Sequence, residues 1–266
     1  MKILKPTVGG HDGSSFRELL DLWDENGYCE VVPNTDIKTS NANETMLIEA
    51  RPWINEVGDI LLYDNPILDK LHEGLTWNKA LFCNEVLKEE SCFSWTFWPN
   101  HPRTYAKVRS KGILYYDERE CHSCFLGSYT THHRQNQDWQ DSVEAFWMGR
   151  MNVKLFNQEE YLEFLRNSKF GLCLRGVGPK CLRDIELIGM GTVPIFTPGV
   201  SDDYYNKLEE GKHYLYASCP EEVKTVIEDC SKEKWQYLSD ECIKWYEENS
   251  SVKGSFELTK RIVEEN

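Results

Sequence analysis

Arg175, Lys180, Arg183 and Glu186 cluster around the run Arg175-Gly176-Val177-Gly178-Pro179. Glycines at such a turn, Gly178 among them, let a ligand approach the backbone closely. Pro179 suits the first helical position, where its missing N–H is an orphan anyway. A helix N-terminus aimed at the same spot favours an anion, and the three cations add positive charge there. Glu186 follows Arg183 by one helical turn and shares its face. Phosphate at the helix start and a carboxylate further along suit a nucleoside diphosphate with its ribose hydroxyls. A plainer reading of the same residues is a Rossmann-like turn whose charges are merely solvated.

Other residues invite weaker readings. Cys121-x-x-Cys124 with His132 and His133 is how a zinc site can begin. Cys124 opens an apolar strand, however, and no second Cys-x-x-Cys or spaced His pair follows, so packing is expected and no metal site. Asp202 and Asp203 follow Pro198-Gly199-Val200-Ser201 in a loop, where they could touch a sugar. Trp95, Phe97 and Trp98 could stack on a sugar face. Strand neighbours point to opposite sides, so core packing is expected for at least one of them.

The elements that would position these groups alternate along the chain. The motif reads as strand 170–174, turn, helix 180–190 and strand 192–196. Before it, the spacing predicts strand 3–8, the loop Gly9-Gly10-His11-Asp12-Gly13, and a helix with Phe16, Leu19, Leu20 and Trp23 on one face. Ser15 and Glu18 are placed to form its capping box. A strand at 28–32 follows, then a polar loop over 33–56. Strand 59–63, helix 67–75 and strand 80–86 come next. A domain boundary is expected near residues 100–112. The second half restarts with strands 113–116 and 124–128 and helices 139–147 and 161–167. Strand 214–216 and helices 233–249 and 255–264 close the chain. The expected fold is α/β, with two Rossmann-like domains spanning residues 1–108 and 109–266 and facing each other across a cleft.

Composition narrows the function classes. With 266 residues and 40 % hydrophobic content, the chain can build a large core. A net charge of −14 without any Lys/Arg run argues against a nucleic-acid partner. No stretch has the length of a membrane span, and MKILKPTVGG has no apolar signal core. The ten cysteines sit singly among apolar residues, which suits reduced thiols. A soluble cytoplasmic protein without a membrane partner is expected, and oligomeric state is not legible.

The stretch Arg183-Asp184-Ile185-Glu186 followed by Gly189-Met190-Gly191-Thr192-Val193-Pro194-Ile195 resembles the donor-binding motif of GT-B glycosyltransferases, especially the exostosin-like family. In that family a Ser commonly stands where this chain has Cys181. The chain is also similar to the short, soluble glycosyltransferases of large algal DNA viruses (chloroviruses). The resemblance implies an inverting transfer from a UDP-sugar, with xylose the best guess. The acceptor it implies is a glycan or glycoprotein, with the fucose of a capsid glycan the best guess. It implies that Glu186 holds ribose, that Arg175 and Arg183 face the pyrophosphate, and that Ser128 and Arg134 touch the donor phosphates. No cofactor beyond the donor is expected, and catalysis is expected to be metal-independent.

An inverting transfer needs a base on the N-terminal domain. Asp12 is the first candidate, His11 the second and Asp64, at the end of strand 59–63, the third; Glu73 and Glu85 are weaker. Asp12 and Asp64 are equally natural as turn residues. Two other classes remain open. A dinucleotide-dependent oxidoreductase needs G-x-G-x-x-G after the first strand, which residues 9–13 do not supply. A non-catalytic glycan-binding module on the same fold would bind without turnover.

Overall fold

The computed structural model describes residues 2–6, 13–34, 45–48, 53–54, 61–62, 79–83, 92–128, 137–149, 156–176 and 178–265. In the first half, strand β1 (Lys2–Pro6) leads to helix α1 (Gly13–Glu25) and strand β2 (Glu30–Asn34), which pairs with β1 in parallel. Strands β3 (Thr45–Ile48), β4 (Trp53–Ile54), β5 (Leu61–Leu62), β6 (Lys79–Phe82) and β7 (Cys92–Ser94) follow. β3, β6 and β7 form a parallel sheet in the order β3-β6-β7, while β4 and β5 pair antiparallel. The expected loop over 33–56 therefore contains the end of β2, all of β3 and β4. The DILLY segment contributes the two-residue β5.

Helix α1 forms because Phe16, Leu19, Leu20 and Trp23 recur on one face, and all four are buried. It begins at Gly13, so Ser15 lies inside it rather than capping it. The Ser15 hydroxyl instead accepts from the Trp98 indole at 3.4 Å, and Glu18 accepts from the Arg103 amide.

Helix α2 (Pro102–Arg109) was hidden in the sequence by its prolines. Pro102 stands at the helix start, where proline is tolerated, and Pro102, Tyr105 and Val108 are buried. The expected strand at 113–116 does not form. That segment hands the Leu114 carbonyl to Arg119 and lays Tyr116 edge-on against Trp235.

The second half is built on β8 (Cys121–Ser128), β9 (Ala145–Gly149), β10 (Ser168–Cys173), β11 (Val193–Phe196) and β12 (Leu215–Tyr216). All pair in parallel, in the order β12-β11-β10-β8-β9. Helix α3 (Gln158–Arg166) precedes β10, and helix α4 (Leu182–Gly189) joins β10 to β11. Helices α5 (Pro220–Glu228), α6 (Lys232–Asn249) and α7 (Val252–Glu265) end the chain. The helix expected over 139–147 is instead a 3-10 turn, Gln137–Ser142, followed by β9. Ala145-Phe146-Trp147 pairs in register with Cys124-Phe125-Leu126, and Phe146 stacks on Phe125 at 4.8 Å. Cross-strand aromatic pairing thus prevails over a helical pattern too short to hold.

Both faces of this sheet are covered, as parallel sheets require. Phe170, Leu172 and Leu174 point into one core with Val223 and Ile227 of α5. Cys124, Leu126 and Cys173 point into the other, with Leu162 of α3 and Ile185 of α4. At the amino ends of the strands, buried Arg119 donates to the carbonyls of Leu114, Arg166, Ser168 and Met190 and to the Thr192 hydroxyl.

The last helix packs against the first. Trp23 donates to Ser255 at 3.2 Å and Trp95 to Thr259 at 2.9 Å. Phe256 lies edge-on to Trp23 and stacks on Tyr28. No helix among the described residues is long and apolar enough to cross a membrane.

The turn between α6 and α7 is close-packed. A Cβ at Gly254 would run into the Glu247 carbonyl oxygen. In an exposed helix, Gly→Ala stabilises by about 0.5–1 kcal/mol. Here Gly254→Ala is expected to lower the unfolding free energy by about 1–3 kcal/mol, read from the urea midpoint. An unchanged or raised midpoint would mean that α6 and α7 do not approach so closely there.

Candidate functional site

Strand order locates the site. From β8 the chain crosses to β9 on one side and returns to β10 on the other, then moves outward through β11 and β12. The direction reverses between β8 and β10. In open parallel sheets, ligands bind beyond the carboxyl ends of the strands at such a reversal. β8 ends there in Gly127-Ser128, and β10 ends in Cys173, followed by irregular chain at 174–176 and 178–181.

Arg183, in the first turn of α4, lies under this point and is only 6 % exposed. Its guanidinium donates to the carbonyl of Leu174 at 3.0 Å and to that of Leu126 at 3.4 Å. It lies 4.5 Å from the centre of the Phe125 ring and 3.7 Å from the Asp184 carboxylate. Gly127 is needed beside it, since a Cβ there would stand 2.9 Å from Arg183 Nη1 and 2.8 Å from the Phe125 ring.

Helix α4 starts at Leu182, two residues later than expected, with Cys181 at its N-cap. The Cys181 amide donates to Asp184 Oδ2 at 3.0 Å. The helix therefore brings its own carboxylate to its positive end, which offsets part of the attraction an external anion would feel.

Glu186 is 2 % exposed. Its Oε1 accepts from the Asn100 amide at 2.9 Å and its Oε2 from the Tyr161 hydroxyl at 2.7 Å. Burial raises its pKa from 4.5 to about 7, against the pull of the Tyr161 and Asn100 hydrogen bonds and the nearby Arg183 charge.

The rest of the turn meets two other segments. Lys180, 3 % exposed, donates to the Ser94 hydroxyl at 3.2 Å and lies 4.8 Å from the Tyr204 ring centre. Ser94, at the end of β7, donates in turn to the Asp203 carbonyl at 2.5 Å. The Pro179 carbonyl accepts from the Ser201 amide, and Arg175 packs over Gly199, whose φ is +85°. Gly178 is buried. Asp202 accepts from the Tyr214 hydroxyl and pairs with Lys207.

Arg175, Gly178, Lys180, Arg183 and Glu186 are thus brought to one end of the sheet. Ser128 closes β8 at the same end, opposite Gly149; its side chain, Arg134, His132 and His133 lie outside the described residues. His11, Asp12, Asp64, Glu73 and Glu85 lie outside them as well. Trp95, Phe97 and Trp98 are all fully buried, so none presents a face to a sugar. Trp98 stacks on Phe16 and on Phe97 and gives its indole proton to Ser15, while Trp95 lies edge-on to Phe16 and gives its own to Thr259. Cys124 lies in the core, where burial pushes its thiol up to about 12.

Three participants carry no sequence signal. Ser94 ends a three-residue strand, Asn100 contributes only a backbone amide, and Tyr161 looks like any aromatic on an amphipathic helix. A separate cavity of about 260 Å³, lined by residues including Leu19, Pro102, Arg109 and Tyr246, lies between α1, α2 and the α6–α7 turn. It shares no residue with the strand ends.

Comparison with solved structures gives glycosyltransferase neighbours. Trehalose-6-phosphate synthase OtsA matches with a TM-score of 0.50 and 11 % identity, over 96 % of this chain and 77 % of that one. AviGT4, a glycosyltransferase involved in avilamycin A biosynthesis, matches at 0.47 and 11 % identity, over 98 % and 96 % of the two chains. WaaG, a glycosyltransferase involved in lipopolysaccharide biosynthesis, matches at 0.47 and 10 % identity, over 100 % and 99 %. No family model matches the chain, and no curated protein does. At such identities the likeness shows the fold, which is α/β of the GT-B type.

The raised pKa of Glu186 makes stability depend on pH. A carboxyl that binds its proton more tightly folded than unfolded contributes stability fully present below about pH 4.5 and lost as pH rises through about 7. Glu186→Gln removes that dependence. Relative to the variant, the wild type is expected to lose up to about 3 kcal/mol across this window, measured by urea unfolding at stepped pH. Parallel curves for the two proteins would show that Glu186 titrates as an ordinary surface carboxyl.

Proposed function

We propose that this chain is an inverting glycosyltransferase of the exostosin-like kind. It moves xylose from UDP-xylose to a hydroxyl of an acceptor glycan, fucose in this reading. The observation that carries this reading is the cluster of Arg175, Lys180, Arg183 and Glu186 where the strand order reverses. A diphosphate calls for cations or helix amides there, and a carboxylate nearby can accept from ribose hydroxyls. The GT-B fold supports it too, since OtsA, which shares that fold, is named a trehalose-6-phosphate synthase.

In this reading residues 109–266 form the donor domain and residues 1–108 the acceptor domain. Ser94 reaches from β7 to Lys180, so the two meet where transfer would occur. Arg175 and Arg183 neutralise the departing diphosphate, with Ser128 and Arg134 from the loop after β8. Asp12 takes the proton from the acceptor hydroxyl as it attacks the sugar, with His11 and Asp64 the next candidates.

A melting panel tests the donor assignment. UDP and UDP-sugars are expected to raise the midpoint without a divalent metal, with a stabilisation of about 2.7 kcal/mol at a hundredfold excess over Kd. GDP and NAD are expected to give smaller shifts. A shift with NAD alone would support a dinucleotide enzyme, and a shift with glycan alone a binding module. Asp12→Asn is expected to keep the UDP shift and abolish transfer. Near-normal turnover in that variant would pass the base role to His11 or Asp64.

A further inference from the structure

We propose that Tyr161 is a positioning residue of the donor site, holding the Glu186 carboxylate for a vicinal diol while the Asn100 amide is the contact that yields. This rests on the reading of Glu186 as the ribose ligand. An ionised carboxylate offers about four acceptor sites. Two are filled here, by the Tyr161 hydroxyl on Oε2 and the Asn100 amide on Oε1. The remaining capacity matches two neighbouring hydroxyls.

The two contacts differ in kind. Tyr161 projects from α3, a helix capped at Asn157, whose side chain accepts from the Glu160 amide at 2.9 Å. Its ring is half-buried, and desolvation raises its hydroxyl pKa, so it stays a donor. Asn100 belongs to the irregular segment before α2, beside His101, which has a φ of +50°. Left-handed backbone at a non-glycine residue is held only by its surroundings. Glu186 is 2 % exposed, so a ligand enters only if a neighbour moves, and Asn100 lies outside any helix, one residue before the α2 N-cap.

Among the described residues, the charged and titratable groups around Glu186 are few. Arg183 and Asp184 stand on its own helix, Tyr161 comes from α3 and Tyr246 from α6. Tyr105 of α2 donates to the Glu186 backbone carbonyl at 3.0 Å. Among these, Tyr161 alone donates to the side chain, and its hydrogen bond favours the ionised form.

The test uses UDP-glucose, whose diphosphate diester has no proton to lose near neutrality, so any titration belongs to the protein. Its affinity for the full chain is measured by calorimetry between about pH 5.5 and 8.5. Wild-type affinity is expected to rise with pH through a midpoint near 7. Tyr161→Phe is expected to move that midpoint up by about one unit and to weaken binding about tenfold at neutral pH, with the two proteins converging at higher pH. Glu186→Gln is expected to bind weakly at every pH. An unchanged midpoint in Tyr161→Phe, even with a lower melting temperature, would reduce Tyr161 to packing and overturn the proposal. A wild-type profile in Glu186→Gln would overturn it as well. No binding of UDP-glucose to the wild type would instead overturn the donor-site reading on which it rests.

Discussion

A buried guanidinium where β8 and β10 diverge constrains the whole second half of the chain. Arg183 cannot be buried at 6 % exposure without acceptors. The Leu126 and Leu174 carbonyls, near the carboxyl ends of β8 and β10, supply them. Gly127 must then lack a side chain, and Phe125 must turn its ring face to the charge. Asp184, one residue on, neutralises the charge and also receives the Cys181 amide. One side chain thus links the end of β8, the end of β10 and the first turn of α4.

The link from this point to the first half of the chain is polar and thin. Ser94 receives Lys180, Asn100 gives its amide to Glu186, and the Tyr205 amide donates to the Trp95 carbonyl. Apolar contact between the halves lies elsewhere too, where α7 returns to Trp23 and Trp95. Division of labour follows. The aromatic seam holds the halves together, and the few hydrogen bonds near the strand ends can exchange without exposing a core.

The sequence made part of this legible and hid the rest for physical reasons. The β10–turn–α4–β11 unit could be read because buried parallel strands are continuous apolar runs and the turn needs glycine. The α1 face could be read because one stripe of large apolar residues recurs at helical spacing. Helix α2 could not, because Pro102 and Pro99 look like breaks until one of them is seen at a helix start. The segment containing β9 reads as helix because Trp139, Val143 and Trp147 fit a 3.6 period, whereas its pairing with β8 depends on a distant strand. Tyr161 and Asn100 were invisible for the same reason, since partnership with Glu186 is a product of assembly. The roles of Trp95 and Trp98 were open in the sequence because an indole serves a core or a sugar equally well.

The two buried arginines at the ends of this sheet differ in how fully their donors are met. At the amino ends, Arg119 finds five acceptors and lies over the Trp235 ring. Every one of its nitrogens is used, as burial demands. At the carboxyl ends, Arg183 Nε has no hydrogen-bond partner among the described residues. Leaving a buried donor unmet costs about 1–3 kcal/mol. The same fold satisfies an arginine completely at one end of its strands, so the cost at the other end is not imposed by the architecture. In the proposed reading, that spare donor at the reversal of strand order is one a diphosphate would take up.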